Sequence, residues 1–454
     1  MKINIEVPAD AGIILTTLHD AGFEASIVGG CVRDAVLKRT PKDWDITTNA
    51  LPEDIQRLFA RTLPTGIRHG TVTVLVGKAG YEVTTYRIDG VYEDARHPKE
   101  VTFTASLAED LKRRDFTINA MAYNEKDGLV DLFGGMEDLR AQRIRCVGDA
   151  AERFSEDALR MMRAFRFAAE LGFQVSPETV AAAKALSPNL DMISAERIRD
   201  ELIRLICSPH PDRIRDLYET RLTARFLPEF DRCMEMPQHN PHHIYGVGEH
   251  IIAAMARIRP EPVLRLTMLL HDIAKPDTRT TDDRGIDHFY GHAEKSAETA
   301  GRVLRRLKCD NRTIRQCVNL IRHHDMRVEG GITPAGIRRA IHRTGKEDFP
   351  LLLEVIDADN AAKAPETGAQ AAKAMREVRR IYEEVLAAND PVAIADLAVN
   401  GRDLMENGVT EGREIGAVLE RMLNHVIRYP AHNERTFLID SVRRGQFLRR
   451  EQTD

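Results

Sequence analysis

The sequence predicts an α+β protein: a small head built on one mixed sheet, followed by a long all-α region. Two patterns carry this expectation. Short β-branched segments bounded by Gly, Pro or Asp crowd the first 145 residues. Beyond about Ala151 the apolar residues recur at helical spacing almost without a break. A length of 454 residues adds that one core does not suffice and that several domains share the chain.

The expected strands are "EASIVGG", "DWDITT", "GTVTVLVG", "YEVTTYRI" and "GLVDLFGG", with helical stretches such as "PEDIQRLFA" between some of them. The run "SEDALRMMRAFRFAAELGF" reads as one continuous helix that stops at Gly172. "SAERIRDELIRLIC" opens with Ser194 in the place of a capping residue. Helices continue to the end, with loops around 275–290 and 326–334. The stretch "AAKAPETGAQAAK" (361–373) reads either as a connection or as the start of a helix.

Composition narrows the function classes. Hydrophobic content of 43% supports packed cores, and 30% charged residues with 6% aromatics suit a helix-rich protein. A formal net charge of -5 excludes a globally basic surface, so any nucleic-acid contact must come from local clusters. Arg160, Arg163 and Arg166 form one such cluster; Arg443, Arg444, Arg449 and Arg450 form another, which reads as solvated surface. Six scattered cysteines without a C-x-x-C pair suit a reducing compartment. The N-terminus has no signal-peptide pattern and no apolar run reaches membrane-spanning length, so the expectation is a cytoplasmic protein with no membrane partner.

The most informative stretch is "IVGGCVRDAVLKRTPKDWDI", residues 27–46. Alternate side chains of a strand share a face, so Asp43 and Asp45 are expected to point together and Trp44 toward the core. Two adjacent carboxylates repel, and a divalent cation between them relieves this; hard oxygen ligands with spare positions suit Mg²⁺ held jointly with substrate phosphates. Gly29 and Gly30 allow backbone amides to approach a phosphate, at the start of a helix whose N-terminus favours anions. Arg33 adds a fork of donors for a triphosphate. Glu82, acidic within a strand, is the candidate third carboxylate. A turn and an acidic loop would be the bland reading of either motif alone; their combination points to metal-dependent nucleotidyl transfer.

G-G-x-V-R-D-x-x-L followed by D-W-D-I resembles the class II nucleotidyltransferases of the DNA-polymerase-β-like superfamily, which holds the CCA-adding enzymes and bacterial poly(A) polymerases. The resemblance continues through "AEDLKRRDFTINAMAYN" (108–124), "DLFGGMEDL" (131–139) and "RFSEDALRMMRAFRFAAELGF" (153–173). It implies that Arg113, Arg114, Asp115 and Asn119 lie near the same cleft, Arg114 on phosphate and Asp115 and Asn119 on the ribose. It also implies that the polar segment 87–98 is the mobile loop of enzymes that add the terminal A.

Asp157 and Arg160, three apart on the expected helix, are surface neighbours. Cytosine and adenine both present an amino donor beside a ring-nitrogen acceptor, which an accepting Asp and a donating Arg complement; guanine and uracil present the opposite signs. The bland alternative is a surface salt bridge. The resemblance makes E-D-x-x-R the nucleotide-selecting motif and extends nucleotide contact to Arg163 and Arg166. Helix geometry supports these two less, since each step of three falls about 60° behind the face.

The middle of the chain is rich in histidine: "QHNPHHIYGVGEHII", "LLHDIAKPDT", "HFYGHAEKS" and "LIRHHDM". His250, the His271–Asp272 dyad and a later Asp resemble the HD superfamily of metal-dependent phosphohydrolases. Imidazole with carboxylate suits a divalent transition metal or Mg²⁺/Mn²⁺. Asp359 is the aligned final ligand, with Asp357 as its competitor. His292, His323 and His324 are candidates for a second metal position, and Lys275 for meeting a phosphate. A lone buried histidine is more often a hydrogen-bonded core residue; the ordered set is what carries the metal reading.

The expected organisation is therefore a nucleotidyltransferase head (1–145), a helical neck with the nucleotide-selecting helix (146–240), an HD helical domain (241–365) and a C-terminal helical segment that holds the tRNA body (366–454). The expected reaction is addition of C, C and A to a tRNA 3′ end from CTP and ATP. The alternatives are poly(A) synthesis, a protein that is chiefly an HD phosphohydrolase, and a non-catalytic RNA-binding module.

Overall fold

The computed structural model describes residues 4–89, 101–326, 331–409 and 412–448. The segment expected to be a mobile loop lies for the most part outside them, as do Arg449 and Arg450. The chain divides into two compact units, Met1–Asp231 and Arg232–Asp454.

The first unit is built on a seven-stranded mixed sheet. Its strands are β1 (Ala25–Val28), β2 (Ile46–Thr48), β3 (Thr62–Gly66), β4 (Thr71–Val76) and β5 (Ala79–Thr85). A separate two-stranded ladder, β6 (Arg87–Asp89) with β7 (Val101–Phe103), precedes the last two, β8 (Met121–Asn124) and β9 (Gly128–Asp131). The sheet order is β3-β4-β5-β2-β1-β8-β9. Only β2 and β5 run parallel among these neighbours, with Ile46 opposite Val83. β1 is "ASIV", buried along its whole length, which suits a central strand covered on both faces. β8, "MAYN", is equally buried and pairs with β1; it lies inside a motif-bearing stretch whose chemistry masked its strand character.

The helices of this unit are α1 (Ala9–Asp20), α2 (Gly30–Val36), α3 (Pro52–Leu58), α4 (Leu107–Lys112) and α5 (Gly135–Arg140), then α6 (Ala150–Glu156), α7 (Leu159–Leu171), α8 (Pro177–Ala185) and α9 (Ala195–Ile206). Two short ones follow, α10 (Ile214–Glu219) and α11 (Thr223–Phe226), and α12 (Pro228–Met234) runs across the boundary at Asp231. Two expectations are corrected here. The stretch from Ser155 to Gly172 does not form one helix: Asp157 is extended, with φ −140° and ψ 104°, so α6 ends and α7 begins after it. Ser194 precedes α9 with the right backbone, but its side chain makes no capping bond.

The second unit is helical. It contains α13 (Val247–Arg257), α14 (Pro262–Leu270), α15 (Lys275–Thr278), α16 (His292–Arg306), α17 (Asn311–His323), α18 (Pro334–Thr344), α19 (Phe349–Ala361) and α20 (Pro365–Ala387). A small hairpin, residues 280–281 paired with 287–288, fills part of the expected loop. The stretch 361–373 is a short connection after α19, which ends at Ala361, followed by the start of α20 at Pro365, in the first turn, where a missing N–H costs nothing. The C-terminal helices α21 (Gly401–Glu406), α22 (Gly412–Arg428) and α23 (Arg435–Arg443) close over their own apolar cluster, which includes Leu404, Met422, Leu423 and Leu438. No helix of the described residues is long and apolar enough to cross a membrane. No disulfide joins the six cysteines.

Candidate functional site

Two sites emerge, one in each unit. In the first, Asp43, Trp44 and Asp45 are not within a strand; they lead into β2, which starts at Ile46. The N–H of Val28 donates to the Asp45 carbonyl at 3.0 Å, so the sheet ladder still fixes this backbone. Trp44 is half-buried instead of sitting in the core, while Asp43 and Asp45 are exposed. The parallel register that sets Ile46 beside Val83 sets Asp45 beside Glu82 when carried one residue back. The electrostatics agree. Desolvation by its neighbours raises the Asp45 carboxyl above its usual value, Arg114 opposes this, and Glu82 and Asp43 add repulsion. Asp43 and Glu82 thus act on Asp45 from nearby, and carboxylates grouped in this way suit a divalent cation.

Behind them, Gly29 adopts φ +82°, a conformation that suits glycine, and a Cβ there would meet the Arg114 guanidinium at 2.9 Å. Arg33 is buried. It donates from Nε to Asp34 at 2.9 Å and from Nη1 to the Asn119 side-chain oxygen at 2.7 Å. Gly30, Arg33, Asp43 and Asp45 line one cavity of about 740 Å³, together with Arg39, Lys42 and Arg204. Sequence reasoning missed these last three; the basic residues of α9 carry a signal only once its packing is known.

A smaller hollow of about 260 Å³ gathers Arg113, Arg114, Asp115, Asp157, Arg160 and Arg163, with Arg197 from α9. Asp115 accepts two bonds from Arg163, at 2.8 and 2.6 Å, and one from Asn119 at 3.2 Å. Burial alone would push its carboxyl up, but Arg163 outweighs this and holds it at about 2. Asp157 and Arg160 are joined by a turn, the Arg160 N–H donating to the Asp157 carbonyl at 3.0 Å, and not by helical spacing. Their side chains have other partners: Asp157 accepts from Arg197 at 2.8 and 3.3 Å, and Arg160 donates to Glu156 at 2.5 Å. Arg197 is the residue that sequence spacing could not find, 40 positions away. Arg166 lies elsewhere: it is 1% exposed, paired with Glu201 and Glu170, and its guanidinium lies 3.8 Å from the Phe167 ring centre.

In the second unit His250, His271, Asp272 and Asp359 are buried together. Asp357 is turned away onto Arg379, and His323 is not among the cluster's ligand atoms, whereas His292 and His324 are. Three rings share a device. His271, His292 and His324 each place Nδ1 within 2.7–2.8 Å of a carbonyl three residues back, of Met268, Phe289 and Ile321. With the proton on Nδ1, each Nε2 lone pair faces the cluster, as metal-bound histidines require. Asp272 divides its oxygens: Oδ2 lies 3.5 and 3.3 Å from His250 and His271, Oδ1 lies 3.5 and 3.7 Å from His292 and His324. His271 Nε2 and Asp272 Oδ1 are buried without a hydrogen-bond partner, while Asp272 Oδ2 is ion-paired with Lys275. Such orphaned atoms on a converging set fit a divalent metal. Lys275 and Lys363 bond Asp272 and Asp359 at 2.7 and 2.6 Å, so Lys275 is committed to a carboxylate.

The comparisons with known proteins follow this geometry. The family described as poly A polymerase head domain matches residues 25–145, an RNA- and SrmB-binding site of polymerase A matches 172–234, and tRNA nucleotidyltransferase domain 2 matches 280–442. The CCA-adding enzyme of Levilactobacillus brevis is 36% identical over 435 residues, covering 94% of this chain and 96% of its own. The chain belongs to the CCA-adding enzymes. A crystal structure of the Bacillus stearothermophilus CCA-adding enzyme in complex with CTP matches over 96% of this chain and 98% of that one, at 31% identity and a TM-score of 0.71. The Thermotoga maritima CCA-adding enzyme complexed with tRNA shares the fold at 19% identity and a TM-score of 0.59, over 97% and 96% of the two chains. As a CCA-adding enzyme the chain is a tRNA nucleotidyltransferase, and poly(A) synthesis recedes as an alternative.

Proposed function

We propose that this CCA-adding enzyme extends a tRNA 3′ end with two residues from CTP and one from ATP, using Asp43 and Asp45 as the metal-holding pair. The observation that supports the residue assignment is that Asp43 and Asp45 line one cavity with Gly30 and Arg33, with Glu82 beside Asp45 in the β2–β5 register. Mg²⁺ held there would lower the pKa of the attacking hydroxyl and offset the charge on the leaving pyrophosphate. The tRNA 3′-hydroxyl oxygen bonds the α-phosphorus, and the bond to pyrophosphate breaks. Arg33 and Arg114 hold the triphosphate beside Gly29 and Gly30; the buried Nε of Arg114 has no partner and is a donor in reserve. Asn119 and Asp115 form the polar wall for the ribose. Asp157 accepts from the base's amino group and Arg160 donates to its ring nitrogen, so C and A fit one pocket. Arg163 holds Asp115, and Arg166 supports the unit from inside. Of the four domains proposed, the head (1–145) lies within the first compact unit, the neck (146–240) runs past its end at Asp231, and the HD domain and tail lie within the second.

The test uses purified protein, Mg²⁺ and a tRNA transcript ending at the discriminator base. Two additions with CTP and one more only with ATP are expected, and none from Asp43→Ala/Asp45→Ala. A long ladder with ATP alone would refute the base-selection scheme.

The three converging imidazoles favour a second activity: an HD-type divalent metal site held by His250, His271, Asp272 and Asp359, with His292 and His324 on the other oxygen of Asp272. The site is suited to hydrolysis of terminal or cyclic phosphates on RNA ends, which would return the free 3′-hydroxyl that extension needs. Metal content of the head-inactivated protein, and its loss in His271→Ala, tests it.

A further inference from the structure

The head contains a carboxylate that the proposed reaction does not use. Asp110, in α4, is 0% exposed and lines neither of the two hollows of the first unit. Its oxygens are nonetheless fully engaged. Oδ1 accepts from Nε and Nη2 of Arg113 at 3.0 and 2.8 Å, and Oδ2 accepts from Nη2 of Arg114 at 3.3 Å. The Thr47 hydroxyl lies 3.2 Å from Oδ2, nearer than its other acceptor, the Thr84 carbonyl at 3.3 Å. Burial alone would push the Asp110 carboxyl up, but Arg114 and Arg113 outweigh this and hold it below its usual value. One buried anion thus gathers two consecutive arginines and one strand.

What this anion does for Arg114 follows from the rest of that guanidinium. Nη1 lies against Gly29, where a Cβ would meet it at 2.9 Å, so this end looks onto the glycine turn. Nε is buried without a hydrogen-bond partner. The Arg114 charge also reaches Asp45, whose carboxyl it keeps from rising further. A guanidinium between two carboxylates settles on the one that holds it better. Held by Asp110, it stands at the turn and keeps donors for a phosphate. Released, it pairs with the metal-holding carboxylates instead. Thr47 steadies the hold at a telling place, on β2 and two positions after Asp45. Through it, one buried side chain joins the arginine to the strand that carries the metal pair.

We propose that Asp110 is a positioning residue for nucleotide binding: it touches no substrate, and it sets Arg114 against the triphosphate by holding it away from Asp45. This rests on the reading of Arg114 as a triphosphate ligand, and the experiment separates the two. Charge alone predicts the opposite sign, because removing an anion beside a polyphosphate site should tighten that site. The full chain with Mg²⁺ and a tRNA transcript ending at the discriminator base is assayed for the KM of CTP. The inhibition constant of cytidine, which has the base and ribose without phosphate, is measured alongside. Asp110→Asn keeps the shape and removes the charge. It is expected to raise KM for CTP about tenfold, with a smaller change in kcat, and to leave the cytidine constant within about twofold of the wild type. An unchanged or lower KM for CTP overturns the proposal. Equal weakening of CTP and cytidine also overturns it, since that marks a structural role alone. Arg114→Met is the control. No rise in its KM for CTP would sink the triphosphate reading of Arg114 itself, whereas a rise there with none in Asp110→Asn overturns only the positioning role. Should Asp110→Asn melt below the assay temperature, Thr47→Val decides: CTP weakened about threefold with cytidine unchanged supports the proposal, and CTP unchanged, or both weakened alike, overturns it.

Discussion

The two sites handle negative charge in opposite ways. In the head, Asp43, Asp45 and Glu82 are exposed, and their repulsion is offset only by Arg114 nearby. In the second unit the carboxylates of Asp272 and Asp359 are buried, each with a lysine on one oxygen, among imidazoles whose tautomers are fixed by backbone carbonyls. An open all-oxygen corner suits a metal that arrives with a polyphosphate and leaves with it. A buried nitrogen-rich cluster suits a resident metal, because its ligands are oriented beforehand. The contrast predicts that the sites fail separately and for different reasons.

The largest effect is expected at the open corner. Asp45→Ala should lower nucleotide addition by about a thousandfold or more, because charge stabilisation at the reacting phosphate is lost. Its melting temperature should stay near that of the wild type, since an exposed side chain is removed. Metal bound by the second unit should be unchanged. A large fall in melting temperature would show that the corner is structural as well.

The buried cluster should behave the other way. Asp272→Ala removes a carboxylate that faces four imidazoles and Lys275, leaving buried charge unpaired, at about 3 to 5 kcal/mol of stability. Denaturant unfolding measures this, and tRNA extension should survive below the new transition. Metal affinity should also rise with pH. Burial alone would push the His271 imidazole down, but Asp272 and Asp359 hold it up, so a metal must displace its proton. Calorimetry in buffers of different ionisation enthalpy should detect that proton release.

A third test concerns Asp115, within the first unit. Its folded pKa of about 2 lies below its ordinary value, so the pair with Arg163 adds stability above about pH 4 and loses it as pH falls toward 2. Asp115→Asn should cost about 2 kcal/mol at pH 7 and flatten the acid arm of the stability profile. An acid arm unchanged by the substitution would exclude this pair as its source.

The head was legible in the sequence because its chemistry is local. The glycines, Arg33, Asp43 and Asp45 lie within seventeen consecutive positions, and a sheet ladder carries their order directly into space. The histidine cluster was legible for another reason: metal-ligating residue types are rare enough to stand out even when more than a hundred positions separate His250 from Asp359. What the sequence concealed is whatever depends on packing. Periodicity ran the residues from Ser155 to Gly172 together as one helix because Asp157 interrupts the backbone without a glycine or proline to mark it. Spacing likewise joined Asp157 to Arg160 and could not reveal that Arg197, on α9, is the partner the carboxylate bonds. Arg166 kept the look of a surface arginine because Glu201, which neutralises it in the interior, is 35 positions away.

The smallest effect is expected from Arg197, and it is the most discriminating within the first unit. A carboxylate has lone pairs to spare, so Asp157 can accept from Arg197 and still accept from a base's amino group. Arg197 then keeps Asp157 oriented without touching the reaction. Arg197→Met should lower kcat/KM for CTP and ATP together by about tenfold, the size of one charge-assisted hydrogen bond lost from a partly exposed pair. The loss should fall on KM more than on kcat, and incorporation of UTP should rise, because a carboxylate without its holder discriminates less. Arg197→Lys restores the charge but not the two-pronged geometry, and should recover only part of the selectivity. If Arg197→Met instead lowers kcat alone and leaves the CTP-to-UTP ratio intact, then Arg197 serves the neck's packing, and Asp157 owes its orientation to the backbone turn that joins it to Arg160.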